Sequence, residues 1–374
     1  MIKQTFEEVF TFEALYRAHM KGRNSKRDKK PIVRFEMNML NHLYDIYLKI
    51  VNGKFRFGNY SAFVVYEPKK REIQTLHYSA RIVQHVLCDD VLMPYFSKRA
   101  IMDNCVCQVG KGSHFALRRF ENMLRKHIRQ HGVKGYFLKC DILKYFPSMP
   151  HAQMKQVFCD PIKDKRLRAM VEGVIDSYHT HSDYLERYNI PAPGNCVRDT
   201  GRGTPIGNQT SQVFGMFYLN AVDRLVKEKL RIKCYSRYMD DFVLVHEDKD
   251  FIRFALEEIK KVVAKLGLFL NSKTQIFPLK NGVTYLGFRY IVTPAGNVIK
   301  TVKKRTRTRM RRRARLIKKA YYDGAIDSER VQMSLSAFHG HLKFANTYRL
   351  RKELFDRLSA LVNDNFKLRK KYAD

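Results

Sequence analysis

The N-terminal third of the chain contains two different hydrophobic patterns. Residues 37–51 and 82–96 carry apolar side chains three and four positions apart, the spacing of one buried helix face. Residues 62–66 are instead rich in β-branched and aromatic side chains and stand just before Pro68, which favours a short strand. These patterns predict mixed helix and strand in this third of the chain.

After residue 134, short apolar strands alternate with longer amphipathic helices. The pattern predicts strands at Tyr136–Cys140, 232–238, 242–246 and 284–292, and helices at 213–230 and 251–266. The second and third strands are so close in sequence that they form a hairpin. From Lys303 the tail is almost entirely helical in pattern. The order strand, helix, strand, strand, helix, strand, followed by a helical tail, predicts an α+β fold.

The composition adds a strong positive charge to this pattern. The chain has 374 residues, of which 45% are hydrophobic, so it can bury a sizeable core. Lys and Arg number 71 against 36 Asp and Glu, which gives a formal net charge of +35. A charge of this size indicates a polyanionic partner, and nucleic acid is the first candidate. The charge is densest in residues 303–319, where eleven of seventeen residues are Lys or Arg.

The same sequence disfavours membrane and secreted classes of protein. No run approaches the roughly eighteen apolar residues of a membrane span, and residues 1–10 lack a signal-peptide pattern. Seven cysteines, an odd number scattered through a large chain, fit reduced thiols better than a disulfide framework. We therefore expect a cytoplasmic protein with no membrane partner.

Carboxylates at the ends of predicted strands supply the candidate chemistry. Asp240 and Asp241 lie at the tip of the predicted hairpin, and Asp141 directly follows the strand Tyr136–Cys140. A lone Asp-Asp pair at a turn is common and needs no function. A third carboxylate from a neighbouring strand instead indicates a site for hard divalent ions. Two Mg²⁺ ions, with Mn²⁺ as a substitute, would suit nucleotidyl transfer, an in-line displacement at phosphorus.

Five motifs occur in a fixed order in the second half of the chain. They lie at residues 141–146 (Asp-Ile-Leu-Lys-Tyr-Phe), 203–212, 238–241 (Tyr-Met-Asp-Asp), 266–274 and 285–288 (Tyr-Leu-Gly-Phe). Together they resemble the palm motifs of reverse transcriptases, and order and spacing across five motifs are far more specific than any single motif. Residues 67–73 and 81–84 are also similar to the fingers motifs of that family, so the resemblance covers roughly residues 30–350.

This resemblance implies a right-hand polymerase fold of fingers, palm and thumb. The N-terminal region and fingers would occupy residues 1–134. A ferredoxin-like βαββαβ palm would occupy 135–290, with a fingers-linked insertion at about 151–203. A basic helical thumb and C-terminal tail would occupy 291–374. The partners implied are an RNA template, an RNA/DNA primer duplex and deoxynucleoside triphosphates.

The resemblance also implies a role for individual residues. Asp141, Asp240 and Asp241 match the metal ligands, and Lys273 matches the lysine that protonates the departing pyrophosphate. Phe146 matches the aromatic side chain that crowds a ribose 2′-hydroxyl and so favours deoxynucleotides. The other nucleotide-binding positions are Lys69, Arg71, Ile206, Gly207, Gln212 and Tyr238; the primer grip is Tyr285, Leu286, Gly287 and Phe288; the thumb contacts to duplex phosphates are Lys303, Lys304, Arg305, Arg307, Arg309, Arg311, Arg312 and Arg313.

The loop at residues 204–212 distinguishes subfamilies. Retroviral, group II intron and retron enzymes typically have Gln and Pro at the positions of Ile206 and Gln212. The pattern found here is similar to the reverse transcriptases of bacterial diversity-generating retroelements. The resemblance implies low fidelity, a template-repeat RNA and a small basic accessory protein. A defence-associated bacterial reverse transcriptase that copies a structured non-coding RNA is the alternative.

Two other classes of protein fit the sequence less well. A catalytically inactive nucleic-acid-binding protein would keep the basic tail but lose carboxylates, whereas all three are present. A nuclease could use clustered Asp with Mg²⁺, but the hairpin followed by primer-grip and thumb motifs is not expected there. Primer extension distinguishes both classes from a polymerase.

Overall fold

The computed structural model describes residues 1–58, 60–66, 70–192 and 199–362. Its N-terminal region is a helical layer that supports one exposed hairpin. The N-cap side chains of Thr5 and Thr11 accept backbone hydrogen bonds and begin the first two helices. The elements are α1 (Phe6–Val9), α2 (Phe12–Gly22), α3 (Lys30–Glu36), α4 (Met39–Val51), β1 (Ser61–Val65), β2 (Arg71–Thr75), α5 (Tyr78–Val86), a π-helical stretch (Leu87–Leu92), α6 (Met93–Ser97) and α7 (Ser113–His131).

A four-stranded antiparallel sheet forms the centre of the molecule. Its strands are β3 (Tyr136–Cys140), β4 (Cys234–Tyr238), β5 (Asp241–His246) and β6 (Gln275–Pro278), in the spatial order β4-β5-β3-β6. Between β3 and β4 lie α8 (Tyr145–Ser148), α9 (His151–Phe158), α10 (Lys165–Asp176), α11 (Ser182–Glu186), α12 (Gln209–Phe217), α13 (Asn220–Arg224) and a π-helical stretch (Leu225–Lys229); α14 (Lys249–Lys265) joins β5 to β6. The strand order and connections confirm the predicted ferredoxin-like βαββαβ palm.

This palm sheet separates two hydrophobic cores because side chains alternate along each strand. Leu138 and Leu244 pack on one face, with α12 to α14 and the N-terminal helices. Phe137 and Val243 pack on the other face, with α7 and the C-terminal elements. β3, β4 and β5 are therefore fixed in register by burial on both sides.

The last strand predicted for the palm, at residues 284–292, was wrong in two respects. The fourth palm strand is β6, whose short sequence ends in Pro278 and gives a weak strand pattern. Residues 284–292 instead form two strands of a separate sheet, because the chain turns back at Leu286 and Gly287, which both have positive φ. This antiparallel sheet contains β7 (Val283–Tyr285), β8 (Phe288–Val292) and β9 (Val298–Val302).

Three mutually packed helices complete the described chain. They are α15 (Lys304–Tyr322), α16 (Ser328–Leu342) and α17 (Tyr348–Leu358), after which a short 3₁₀ helix spans Ser359–Leu361. Met310 and Ala314 are the buried positions of α15 and face this bundle. No helix in the described part of the chain is long and apolar enough to cross a membrane.

Candidate active site

The candidate site is built around the hairpin between β4 and β5. Tyr238 pairs with Asp241, so only Met239 and Asp240 form the loop. Met239 adopts φ of +56°, a left-handed conformation that costs a non-glycine residue about 1–2 kcal/mol. A two-residue turn of this kind projects Asp240 at its tip and places Asp241 at the first position of β5.

Asp141 reaches the same place from the neighbouring strand. β3 pairs with β5 and aligns Cys140 with Phe242, so the residue after β3 lies beside the hairpin. Burial raises the pKa of Asp240 to about 6, and the negative charges of Asp141 and Asp241 add to this rise. The structure therefore brings the three predicted carboxylates close enough for their charges to interact.

Basic side chains oppose this concentration of negative charge. Burial and the charge of Asp141 raise the pKa of Asp241, whereas the charges of Lys139 and Lys303 lower it. Arg71, exposed at the start of β2, lowers the pKa of Asp240 in the same way. Lys303 immediately precedes α15. Charges from the exposed hairpin of β1 and β2 and from the residue before α15 thus act on the palm carboxylates.

The three carboxylates fit divalent cations. They supply hard oxygen atoms, the ligands that Mg²⁺ and Mn²⁺ prefer. One of these atoms, Oδ1 of Asp241, is buried, and among the described residues it makes an ion-pair contact with Nζ of Lys139 at 3.4 Å but no hydrogen bond. Asp141, Asp240 and Asp241 are the residues that could hold the ions.

Lys139 was missed by sequence reasoning. Its Nζ lies 3.4 Å from Oδ1 of Asp241 and donates a 2.7 Å hydrogen bond to the carbonyl oxygen of Thr284. It therefore links the carboxylates to β7. The alternation along β3 could have identified it, because Lys139 and Asp141 are two positions apart and share a face.

Arg237 and Asp223 were also missed. Both side chains are fully buried, and Arg237 donates from Nε to Oδ1 of Asp223 at 2.7 Å and from Nη2 to Oδ2 at 2.5 Å. Nη1 of Arg237 also donates to the carbonyl oxygen of Met239 at 3.0 Å. The ion pair thereby braces the turn that carries Asp240. An Arg next to the predicted Tyr-Met-Asp-Asp turn, inside a predicted strand, was the available signal.

The predicted nucleotide-binding loop contacts the exposed hairpin of β1 and β2. The amide of Gln74 on β2 donates to the carbonyl oxygen of Ile206 at 2.9 Å. Gly207 has φ of +141°, and a Cβ there would lie 2.6 Å from the carbonyl oxygen of Gln74, so only glycine fits this approach. The side chain of Ile206 is half-buried, and Gln212 is exposed on α12.

Phe146 lies beside the catalytic turn. Its carbonyl oxygen accepts a 3.0 Å hydrogen bond from the amide of Thr204, which ties it to the nucleotide-binding loop. A Cβ on Gly215 would lie 2.8 Å from Cε1 of Phe146 and 3.3 Å from Sδ of Met239. The ring is therefore packed against α12 and the turn while remaining half-exposed. Tyr238, on the other side of the turn, is half-buried, and burial raises its pKa.

Lys273, the predicted proton donor, is connected to the site through the backbone of its segment. Lys273 is exposed, two residues after Asn271, whose amide donates to the carbonyl oxygen of Asp141 at 2.8 Å. Its segment is thus attached to the carboxylate site through the backbone. Lys69 lies outside the described residues.

Within the predicted primer grip, the side chains and the turn have separate roles. Tyr285 and Phe288 are buried, and the Tyr285 hydroxyl and the Ser236 hydroxyl lie 3.0 Å apart, within hydrogen-bond distance. Gly287, in contrast, has open space where a Cβ would be. The two aromatic side chains anchor the hairpin in the core, whereas the turn at Leu286 and Gly287 is partly exposed to solvent.

The eight basic residues predicted for the thumb are all exposed along the start of α15. Arg311 differs from the others because Glu353 of α17 binds it through Nε and Nη2, with a shortest distance of 2.7 Å. Its charge is partly compensated within the thumb. The remaining residues form a basic surface that continues from Lys303 beside the carboxylates.

Comparison with known proteins identifies the family. Residues 68–290, more than half of the chain, match the family model for reverse transcriptase (RNA-dependent DNA polymerase). This match confirms the predicted α+β right-hand fold and the predicted family. Such enzymes use divalent metal ions and bind a template and primer. The match does not distinguish between subfamilies.

Comparisons with individual proteins gave two further results. No curated protein matches the sequence. Among solved structures, the chain is similar to the apo telomerase from Candida tropicalis, truncated from its C-terminal domain, with 12% identity and a TM-score of 0.45. The similarity covers 65% of this chain and 55% of that one, so this chain spans about half the length of the telomerase. On the family match, the chain belongs to the reverse transcriptase family of RNA-dependent DNA polymerases.

Proposed function

We propose that this chain extends a primer on an RNA template by two-metal-ion nucleotidyl transfer. The observation that carries the proposal is the convergence of Asp141, Asp240 and Asp241 at one edge of the palm sheet, faced by Arg71 and Lys303. An incoming triphosphate and a primer end both bring negative charge. Metal ions held by the carboxylates, together with the basic side chains, would neutralise that charge.

Each nearby side chain would have a distinct task. Two bound divalent ions, Mg²⁺ in our proposal with Mn²⁺ as a substitute, would supply Lewis-acid activation and charge neutralisation at the reacting phosphate. Lys69 and Arg71 would hold the triphosphate. Phe146 would exclude a ribose 2′-hydroxyl, and Lys273 would donate a proton to the departing pyrophosphate.

Primer extension with an Asp240→Asn variant tests the site. The substitution keeps the side-chain shape but removes a charged ligand, so we expect the extension rate to fall about a thousandfold, equivalent to about 4 kcal/mol of transition-state stabilisation. Asp250→Asn is the matched control, because Asp250 is exposed on α14 and pairs with Arg253 of the same helix. Equal extension by the wild type and Asp240→Asn would contradict the two-metal assignment.

We further propose that the enzyme is error-prone and serves a bacterial diversity-generating retroelement in the cytoplasm. Support comes from Ile206, whose backbone is held by β2 while its branched apolar side chain is half-exposed at the nucleotide-binding loop. Such a side chain cannot donate or accept a hydrogen bond that would check the nascent base pair. A template-repeat RNA and a small basic accessory protein are the partners of this proposal.

Sequencing of cDNA made from a defined RNA template tests the fidelity proposal. We expect wild type to misincorporate chiefly opposite template adenine, and Ile206→Gln to lower that error rate several-fold, since one regained hydrogen bond contributes about 1 kcal/mol. Ile299→Gln is the control, because Ile299 is an exposed residue of β9. An error rate unchanged by Ile206→Gln would count against the proposal. A faithful wild-type enzyme would favour the defence-associated alternative with its structured non-coding RNA.

A further inference from the structure

A second cluster of metal-binding side chains lies at the opposite end of the palm sheet from the carboxylates. His127 and His131 are one turn apart at the end of α7, and Glu247 directly follows β5. One ligand atom from each of these residues lies within 4.8 Å of the other two. Asp241 begins β5 and His246 ends it, so the whole strand separates this cluster from the catalytic hairpin.

His127 is the observation that points to a ligand. Its side chain is only 8% exposed, and its Nε2 is buried without a hydrogen-bond partner in the described part of the chain. A buried polar atom left unpaired costs about 1–3 kcal/mol, so such an atom calls for an explanation.

The other two ligands are held by the ends of their elements. Nδ1 of His131 lies 3.4 Å from Oε1 of Glu247. A tetrahedral Zn²⁺ ion with bonds of about 2.0–2.2 Å separates its ligand atoms by about 3.3–3.6 Å, so this pair already has the required spacing. Glu247 precedes Asp248, which caps α14 by accepting the amides of Asp250 and Phe251. The cap fixes the direction in which Glu247 leaves β5.

The surroundings favour a soft or borderline ion over a hard one. The adjacent cavity of about 340 Å³ is lined in part by Lys126, Arg231 and Lys233. These side chains repel a metal ion, so the ion has to be held by direct bonds to its ligands rather than by the surrounding charge. Imidazole nitrogen atoms bind Zn²⁺ strongly and Mg²⁺ poorly. The last carbonyl groups of α7 also point towards this end of the helix and favour a cation.

We propose that His127, His131 and Glu247 bind a structural Zn²⁺ ion that ties the end of α7 to the palm sheet, with water as the fourth ligand. The ion would add a direct link between the end of α7 and the end of β5, two elements that already pack together in the second hydrophobic core. It takes no part in nucleotidyl transfer, so this inference does not depend on the proposed function.

Zinc titration of the full chain tests the site. Protein freed of metal by a chelator is titrated with Zn²⁺ against a chromogenic zinc indicator in excess Mg²⁺, which occupies the catalytic carboxylates. Cys107 is exposed and Cys196 lies outside the described residues, so both are replaced by Ser in every protein compared. We expect one Zn²⁺ per chain, bound at least tenfold more weakly by His131→Ala and by Glu247→Gln.

His181→Ala is the matched control. His181 is an exposed histidine whose Nδ1 lies 3.4 Å from a carboxylate oxygen of Asp183, the same spacing as in the proposed site, but the described residues offer this pair no third ligand. His131 and Glu247 are themselves exposed, so their variants should fold, which circular dichroism checks. Substituted Co²⁺ should give the visible absorption of a tetrahedral site in wild type and lose it in His131→Ala. Equal Zn²⁺ affinity in all variants, or no Zn²⁺ binding by wild type, would overturn the proposal.

Discussion

Arg237 and Asp223 show how single buried residues shape the catalytic turn. Removing two charges from water is costly unless each is paired and fully hydrogen-bonded. Arg237 meets this requirement by binding both carboxylate oxygens of Asp223 and two backbone carbonyl oxygens, those of Met216 and Met239. The contact with Met239 falls on the residue whose positive φ makes the turn. We infer that the pair stabilises the strained backbone on which Asp240 stands.

The Asp223→Ala variant should therefore be strongly destabilised. It leaves Arg237 buried without its counter-charge, and removing one partner of such a pair costs about 3–5 kcal/mol. Urea denaturation followed by circular dichroism gives the free energy of unfolding. Asp250→Ala removes an exposed partner of Arg253, and we expect a change below about 1 kcal/mol. Similar destabilisation of the two variants would show that the buried pair contributes no more to the free energy of unfolding than an exposed ion pair does.

The residues that sequence reasoning found and missed differ in a physical way. Asp141, Asp240 and Asp241 were predicted because their chemistry is recognisable at the ends of apolar strands. Lys139 and Arg237 act through contacts with residues distant in sequence, and no local pattern shows those partners. Their signals were present only as polar residues within strands.

At the scale of elements, local patterns located the palm strands well but not the sheets they join. β3 was predicted at its observed bounds, since burial on both faces gives it a clear apolar pattern. β6 was not predicted, because a short strand with partly exposed side chains has a weak pattern. The hairpin β7–β8 appeared as one strand because its turn contains Leu286, which does not usually adopt positive φ.

The contact between α12 and Phe146 depends on the absence of a side chain at Gly215. A Cβ there would lie 2.8 Å from Cε1 and 3.0 Å from Cζ of Phe146, so the ring must move. We expect Gly215→Ala to lower the free energy of unfolding by about 1–3 kcal/mol, the usual cost of overpacking. Urea denaturation measures the change. If Phe146 excludes ribonucleotides, the displaced ring should also alter the preference for deoxynucleotides in primer extension.

We expect Gly340→Ala, a substitution in α16, to raise the free energy of unfolding, the opposite of the effect expected for Gly215→Ala. Gly340 lies in α16, and a Cβ there would have no neighbour within 4 Å. Alanine should therefore stabilise the protein by about 0.5–1 kcal/mol through its higher helix propensity. If both substitutions stabilised the protein equally, the close packing of Phe146 on α12 would be contradicted.

At the scale of the whole molecule, the palm sheet divides the chain into two hydrophobic cores. The α+β class followed from the pattern of strands and helices, whereas the ferredoxin-like palm followed from the resemblance to reverse transcriptases. The allocation of elements to the two cores did not, because α7 precedes the palm in sequence yet packs on the same face as the thumb. Long-range packing of this kind leaves no periodic signal. The predicted divisions at residues 134 and 290 stay predictions; β8 runs across the second.

The charge on α15 should govern how the whole molecule binds a template–primer duplex. Arg305, Arg309 and Arg313 are exposed and one turn apart, so they can follow a phosphate backbone along one face of the helix. Replacing all three by Ala should weaken duplex binding and lower the slope of log affinity against log salt concentration by about one for each phosphate that is no longer bound. Fluorescence anisotropy with a labelled RNA–DNA duplex measures both quantities. A control with Arg253, Lys260 and Lys261 of α14 replaced by Ala removes the same net charge from exposed positions elsewhere. If that control reduced the slope as much as the α15 variant, overall charge rather than a thumb contact would account for binding.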